Sequence, residues 1–230
     1  MRKEPHTVGS IVHVIKRGSR GLSIVRDNND RWRFIKLLYY LNDSNRPIEH
    51  WERDVEDTQK GLHFNRPKSW LERKPMVKIL SYCLMPNHFH LLIEEIIDDG
   101  VSRFMQSLCG SMSVHYNNKY KEKGSLFQGA YKLKTVDTDY YLDLLYVYIN
   151  IKNPFELYNG GLENAINNFE EAYKTALEYN FCSLADIGGD RKSPILGKTE
   201  LFTYSPIQFK KLSKEFLLQK LENMKDPILE

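Results

Sequence analysis

The chain has 230 residues, 41% hydrophobic, 12% aromatic and 27% charged, which is the composition of a folded globular protein and excludes a disordered or low-complexity polypeptide. No apolar run approaches the roughly 18 residues of a membrane-spanning helix, MRKEPHTVGS lacks the apolar core of a secretory signal, and three cysteines without CxxC spacing exclude a disulfide framework or zinc knuckle. The net charge of +3 is unevenly spread: residues 1–36 carry nine Lys/Arg against three Asp/Glu, whereas residues 137–190 carry two against ten, which fits a basic face that meets phosphates set apart from an acidic one and fits ordinary solvated charge on two halves of the chain equally well.

In chain order, Ser10 to Val25 (SIVHVIKRGSRGLSIV) reads as strand, basic loop and short strand, broken by KRGSRG. DNNDRWRFIKLLYYLND opens with cap residues and places Trp32, Ile35 and Tyr39 at helical spacing, which predicts a helix ending near Asn42. Residues 43–75 are polar, contain three prolines and keep no period, so they read as an insertion. Lys78 to Met85 predicts a strand, Pro86-Asn87 a tight turn, and His88 to Glu95 the returning strand of a hairpin. Val101 to Tyr120 repeats Phe104, Leu108 and Met112 every four residues, a second helix, and FQGAYKLKTV gives a basic strand. DTDYYLDLLYVYINIKNP has capping residues and apolar positions Tyr141, Leu144, Leu145 and Tyr148, a third helix that Pro154 is expected to stop.

The order strand, helix, strand, strand, helix, strand, helix predicts an α+β fold, a ferredoxin-like antiparallel sheet with helices on one face. Beyond Pro154 the pattern changes to an acidic helix from about Leu162 to Glu178, a loop with Gly188-Gly189, and a Lys-rich helix from about Ile207 to Met224. Two domains follow as the expectation: 1–157, with the insertion at 43–75, and a helical C-terminal extension, 158–230.

LMPNHFHLLIEE is the segment that invites chemistry. On a strand, His88 and His90 share one face and Phe89 the other, so two imidazoles form a claw for a cation. A lone HxH is more often structural, a metal site needs a third ligand, and imidazole softness points to zinc, copper, iron or nickel rather than magnesium. The third helix is dense in tyrosine, with Tyr140, Tyr141, Tyr146 and Tyr148. Aromatics at helical spacing are usually core, but a tyrosine near a cation can attack a phosphodiester and conserve its bond as a phosphotyrosine. His13, His50, His63 and His115 have no partner at useful spacing and receive no role.

Three ordered blocks, IVHVIKRGSRGLSIVRDNNDRWRF, SYCLMPNHFHLLIEE and GSLFQGAYKLKTVDTDYYLDLLYVYINIKNPFEL, resemble the HUH single-tyrosine transposases, most closely the REP-associated tyrosine transposases, over roughly Ser10 to Leu157. The resemblance implies that His88 and His90 ligate Mg²⁺ or Mn²⁺, that Tyr148 is the nucleophile, and that the substrate is single-stranded DNA beside a hairpin. It also implies a metal-ligating Asn or Gln four residues after the tyrosine, and here this sequence departs: Lys152 stands there and Asn153 comes one position late. A helix that loosens before Pro154 brings Asn153 into place; alternatively Tyr146 and Asn150 are the working pair, or Lys152 replaces the ligand and neutralises phosphate. Arg17, Arg20, Lys132 and Lys134, with Lys119 and Lys121, are candidates for backbone contacts to DNA, against a reading as solvated surface. Relatives act as monomers or as homodimers, and a cytoplasmic, nucleoid-associated location is expected.

Overall fold

The computed structural model describes residues 6–47, 49, 51–55 and 64–220. Four strands, β1 (Ile11–Arg17), β2 (Val77–Leu84), β3 (His88–Glu95) and β4 (Lys132–Thr135), form one antiparallel sheet in the order β2-β3-β1-β4. That is the ferredoxin-like arrangement, with the hairpin β2-β3 at one edge and the first and third strands side by side in the centre. Between them run α1 (Asn28–Tyr40) and α3 (Gly100–Tyr120). The expected second short strand at Leu22 to Val25 does not form. Instead a 3-10 turn at Ser19–Gly21 leads directly into α1, and Ile24 donates its N–H to Pro86 O at the hairpin turn.

α1 begins where cap residues place it: the Asp27 side chain accepts from the Asp30 N–H and the Asp30 side chain accepts from the Asp27 N–H, a reciprocal box that satisfies two donors at the helix start. α1 and α3 cover one face of the sheet, where Val12, Val14, Phe89, Leu91 and Ile93 meet Phe34, Leu38, Phe104 and Leu108 in a dry core. Asp30 ties the two helices together through Lys119 Nζ (2.6 Å) and Tyr120 Oη (2.7 Å). Lys119 is thus committed to Asp27 and Asp30, which favours its structural reading over a DNA contact. Within the insertion 43–75, a short helix α2 (Trp51–Asp54) forms, and Asn42 holds the returning chain by accepting from the N–H groups of Met76 and Val77. His50 and His63 lie outside the described residues.

The expected placing of helices on one face holds for α1 and α3; the other face of the sheet is covered by the tyrosine helix α4 (Asp139–Val147) and its continuation, a π-helical turn at Tyr148–Lys152 and α5 (Asn153–Glu156). Pro154 therefore does not stop the helix before it. It sits in the first turn of α5, where its missing N–H is not needed. The expected acidic helix is two helices, α6 (Gly161–Asn167) and α7 (Phe169–Leu177), broken at Asn168. They are followed by α8 (Leu184–Ile187) and α9 (Pro206–Lys220), the Lys-rich helix. Phe169, Ala172, Leu184, Phe209 and Leu217 join Leu145, Tyr146 and Ile149 in a second apolar cluster. On α9, Lys210 and Lys214 pair with Glu170 of α7. All three cysteines are free; Cys83 and Cys182 are buried and Cys109 is half-buried.

Candidate active site

Strand register decides which side chains meet. Ile15 pairs with His90 and Arg17 with His88 across β1 and β3, while His13 pairs with Lys134 and Ile15 with Lys132 across β1 and β4. Opposite residues in an antiparallel pair share a face. His13, Arg17, His88, His90, Lys132 and Lys134 therefore all belong to the face that receives the tyrosine helix, opposite the dry core. Arg20 stands outside this row, exposed in the 3-10 turn with a left-handed backbone (φ 55°).

The two histidines of the HxH strand are held differently. His88 is half-buried, and its Nδ1 donates to Asn87 Oδ1 (2.7 Å), because an amide oxygen can only accept. The Asn87 amide is oriented in turn by donating to Gly21 O (3.3 Å), and Gly18 N–H donates to Asn87 O (2.7 Å). Gly18 is required there: a Cβ would lie 2.0 Å from Leu22 O. His90 is fully buried, and its Nδ1 shares a hydrogen bond with His13 Nε2 (3.0 Å), the two rings stacked at 5.2 Å. Burial pushes all three imidazoles toward the neutral form: His13 down to about 3, helped by Lys134; His88 to about 4, helped by Arg17 and Lys152; and His90 well below its ordinary value, with His13 and His88 next in effect. Neutral imidazole is the form that ligates metals.

Tyr148 comes to this corner. It is buried, and its ring stands edge-on to His90 at 5.4 Å. Tyr146 does not. It stacks on Phe202 (3.6 Å between centroids) and meets Phe209 edge-on, and burial raises its phenol pKa. Asn150 is also occupied elsewhere: its amide donates to Ser81 Oγ (2.8 Å) and to Tyr146 O, and accepts from Ser183 Oγ (2.6 Å), pinning the π-turn to β2 and α8.

The π-turn changes the register after Tyr148. Asn153 N–H donates to Tyr148 O, an i→i+5 bond, so Asn153 follows Tyr148 by one turn of the widened helix, as an i+4 residue would in an α-helix. Asn153 is buried and its Nδ2 has no hydrogen-bond partner; His90 Nε2 is likewise buried without one. These two orphaned polar atoms, with the Nε2 of His88, fit a cation held by two imidazoles and an amide, since rotating the amide exchanges its oxygen and nitrogen. Among the described residues, no group of three or more His, Cys, Asp or Glu is placed to hold a metal ion. Lys152 is buried too. Its Nζ donates to Tyr148 Oη (3.3 Å) and pairs with Glu156 (2.5 Å); burial would lower its pKa, but the carboxylate outweighs it and raises it.

His13 received no role from the sequence: its partner lies 77 residues away, and only the pairing of strands brings the two rings together. Arg17 and Gln128 are joined at this end by Gln128 N–H donating to Arg17 O (2.9 Å), so the FQG loop closes on the same corner.

Residues 62–152 match the family model described as "Transposase IS200 like". No curated protein matches this chain. A solved structure described as a REP-associated tyrosine transposase bound to a REP hairpin is similar at 13% identity, with a TM-score of 0.46, covering 90% of this chain and 95% of that one. The first of the three blocks read from the sequence lies outside the matched stretch, while the HxH strand, β4 and the helix carrying Tyr148 lie within it. The similarity to the IS200-like transposases thus spans residues 62–152 of this chain.

Proposed function

We propose that the protein is a metal-dependent, single-strand-specific DNA endonuclease and strand transferase that forms a 5′-phosphotyrosine intermediate beside a DNA hairpin. The observation that carries this reading is Tyr148 standing against His90 in a buried corner, with the π-turn bringing Asn153 onto the tyrosine's side. His88, His90 and Asn153 would hold Mg²⁺ or Mn²⁺, and the bound cation would polarise the scissile phosphate. The preference for a hard cation over zinc rests on the resemblance and on oxygen ligands from phosphate and water. Tyr148 Oη attacks phosphorus: the Oη–P bond forms, the P–O3′ bond breaks, the phenol proton passes to solvent, and the departing 3′ oxygen takes a proton to become the hydroxyl used in rejoining.

Arg17, Lys132 and Lys134 share the histidine face and Arg20 rims it, so backbone contacts to DNA are proposed for these four. The division at 157/158 belongs to the same proposal: residues 1–157 as the transposase domain, 158–230 as an extension that braces the tyrosine helix through Phe202 and Phe209. A homodimer is not needed to unite Tyr148 with His90, since one chain supplies both. No described helix is long and apolar enough to cross a membrane; a cytoplasmic, nucleoid-associated location remains part of the proposal.

The test is a denaturing gel of labelled single-stranded hairpins with flanking tails, incubated with Mn²⁺ or EDTA. A covalent band that needs Mn²⁺, is lost in Tyr148→Phe by about 10³-fold or more, and persists in Tyr146→Phe within about threefold is the expected result. A band lost only in Tyr146→Phe overturns the assignment. One observation favours a second reading, a hairpin-binding module whose catalysis has lapsed: the Lys152 ammonium bonds the Tyr148 hydroxyl and holds the i+4 position. Hairpins retarded but uncut under all conditions support that reading.

A further inference from the structure

We infer that His13 is a positioning residue that accepts the Nδ1 proton of His90 and so fixes the tautomer in which His90 Nε2 carries the lone pair for a cation. The inference rests on the proposed metal role of the HxH strand, but it makes its own claim about protons in the free protein. A ligating histidine commonly donates its other ring N–H to a neighbouring acceptor, and losing that acceptor weakens metal binding. Both histidines here show such an arrangement. For His88 the acceptor is unambiguous: Asn87 Oδ1 at 2.7 Å can only receive a proton, so His88 carries hydrogen on Nδ1 and leaves Nε2 free.

His90 shows the same pattern with a different partner. Its Nδ1 lies 3.0 Å from His13 Nε2, and its Nε2 is buried with no partner. If His13 donated instead, the proton of neutral His90 would sit on Nε2, a buried N–H with nothing to receive it. With His90 donating, the unpartnered atom is a lone pair aimed at nothing within the protein, which is what a cation would use. His13 is buried on both sides of its strand pairing, opposite Leu92 on β3 and Lys134 on β4, and its ring stacks on His90 at an angle of 11°, so neither ring has room to turn independently. Strand β1 thereby contributes a residue to the site through β3 rather than by reaching the reacting atoms.

The experiment uses the whole chain labelled with ¹⁵N-histidine, read by long-range ¹H–¹⁵N NMR near neutral pH, with Mn²⁺ affinity measured separately without DNA. The expected result has two parts. His90 carries its proton on Nδ1 in the wild type, and His13→Leu weakens Mn²⁺ binding by about tenfold or more while His13→Gln, whose amide oxygen can accept, restores it to within about threefold. A purely structural role for His13 would make both variants equal. Wild-type His90 protonated on Nε2, or His13→Leu binding Mn²⁺ as the wild type does, overturns the inference. Because the tautomer is read in wild-type protein, poor folding of a variant does not spare it. Failure of the nuclease reading shows instead as absence of any covalent DNA adduct alongside an intact His90 tautomer.

Discussion

The two faces of the sheet are built from the same strands by opposite rules. On one, Phe89, Leu91 and Ile93 alternate into a dry core under α1 and α3. On the other, the intervening positions of β3 and β1 supply His88, His90, His13 and Arg17, under a helix that carries Tyr148 and Lys152 to the same depth. Burying polar groups costs free energy unless each finds a partner, and His90 Nε2 and Asn153 Nδ2 do not. Apolar residues would pack the second face more cheaply. A protein that keeps unsatisfied imidazole and amide atoms inside, next to a face where it follows the packing rules closely, is retaining them for something other than stability.

The comparison can be broken by substitutions that treat the faces alike. Phe89 is fully buried and packs on Phe34 (5.1 Å) and Phe127 (6.1 Å), so Phe89→Ala should cost about 3–5 kcal/mol in denaturant unfolding, the largest loss expected here. Its neighbour should behave otherwise. His90→Leu and His13→Leu each strand a buried partner and should cost about 1–3 kcal/mol, whereas the double variant removes both polar rings and should cost less than the sum by about 1 kcal/mol or more. Strict additivity in that cycle would show the histidine pair to be uncoupled, and the contrast between faces would lose its basis.

The smallest effect concerns the charge that the first face does bury. Burial opposes ionisation of Asp30, yet Lys119, the Arg26 N–H and the Tyr120 hydroxyl outweigh it and hold its pKa at about 2, against 3.8 ordinarily. A depressed carboxylate stabilises the fold above its unfolded pKa, and that contribution is lost as pH falls from about 3.8 through about 2. Asp30→Asn should therefore be less stable than wild type by about 1–2 kcal/mol at neutral pH, with the gap closing across that acid window in thermal unfolding scans. A constant gap across the window would mean that the hydrogen-bond geometry, and not the charge, ties α1 to α3.

Local pattern made much of this legible. Period-two alternation in HFHLLIEE placed the two histidines on one face, and the β3 bounds, His88 to Glu95, came out as read. Cap residues located the start of α1, and Thr138 caps α4 by accepting from Tyr141 N–H. These features depend on interactions a few residues apart, which the sequence states directly. The loosened helix before Pro154 was one of several repairs open from spacing, and the structure contains it as the π-turn. No local period distinguishes it from a regular helix, because the slipped hydrogen bond is stabilised from outside, by Asn150 binding Ser81 and Ser183.

Residue types and their spacing were enough to establish an α+β chain with an HxH strand, a tyrosine-rich helix and an offset amide, since these are properties of short segments. The different surroundings of the two tyrosines came from tertiary structure: Tyr146 and Tyr148 are two residues apart, and the first packs on Phe202 and Phe209 while the second meets His90, which is what the proposal of Tyr148 as nucleophile draws on. The partnership of His13 with His90 was likewise invisible, because contacts between strands 77 residues apart are set by register across the sheet and not by any signal along the chain.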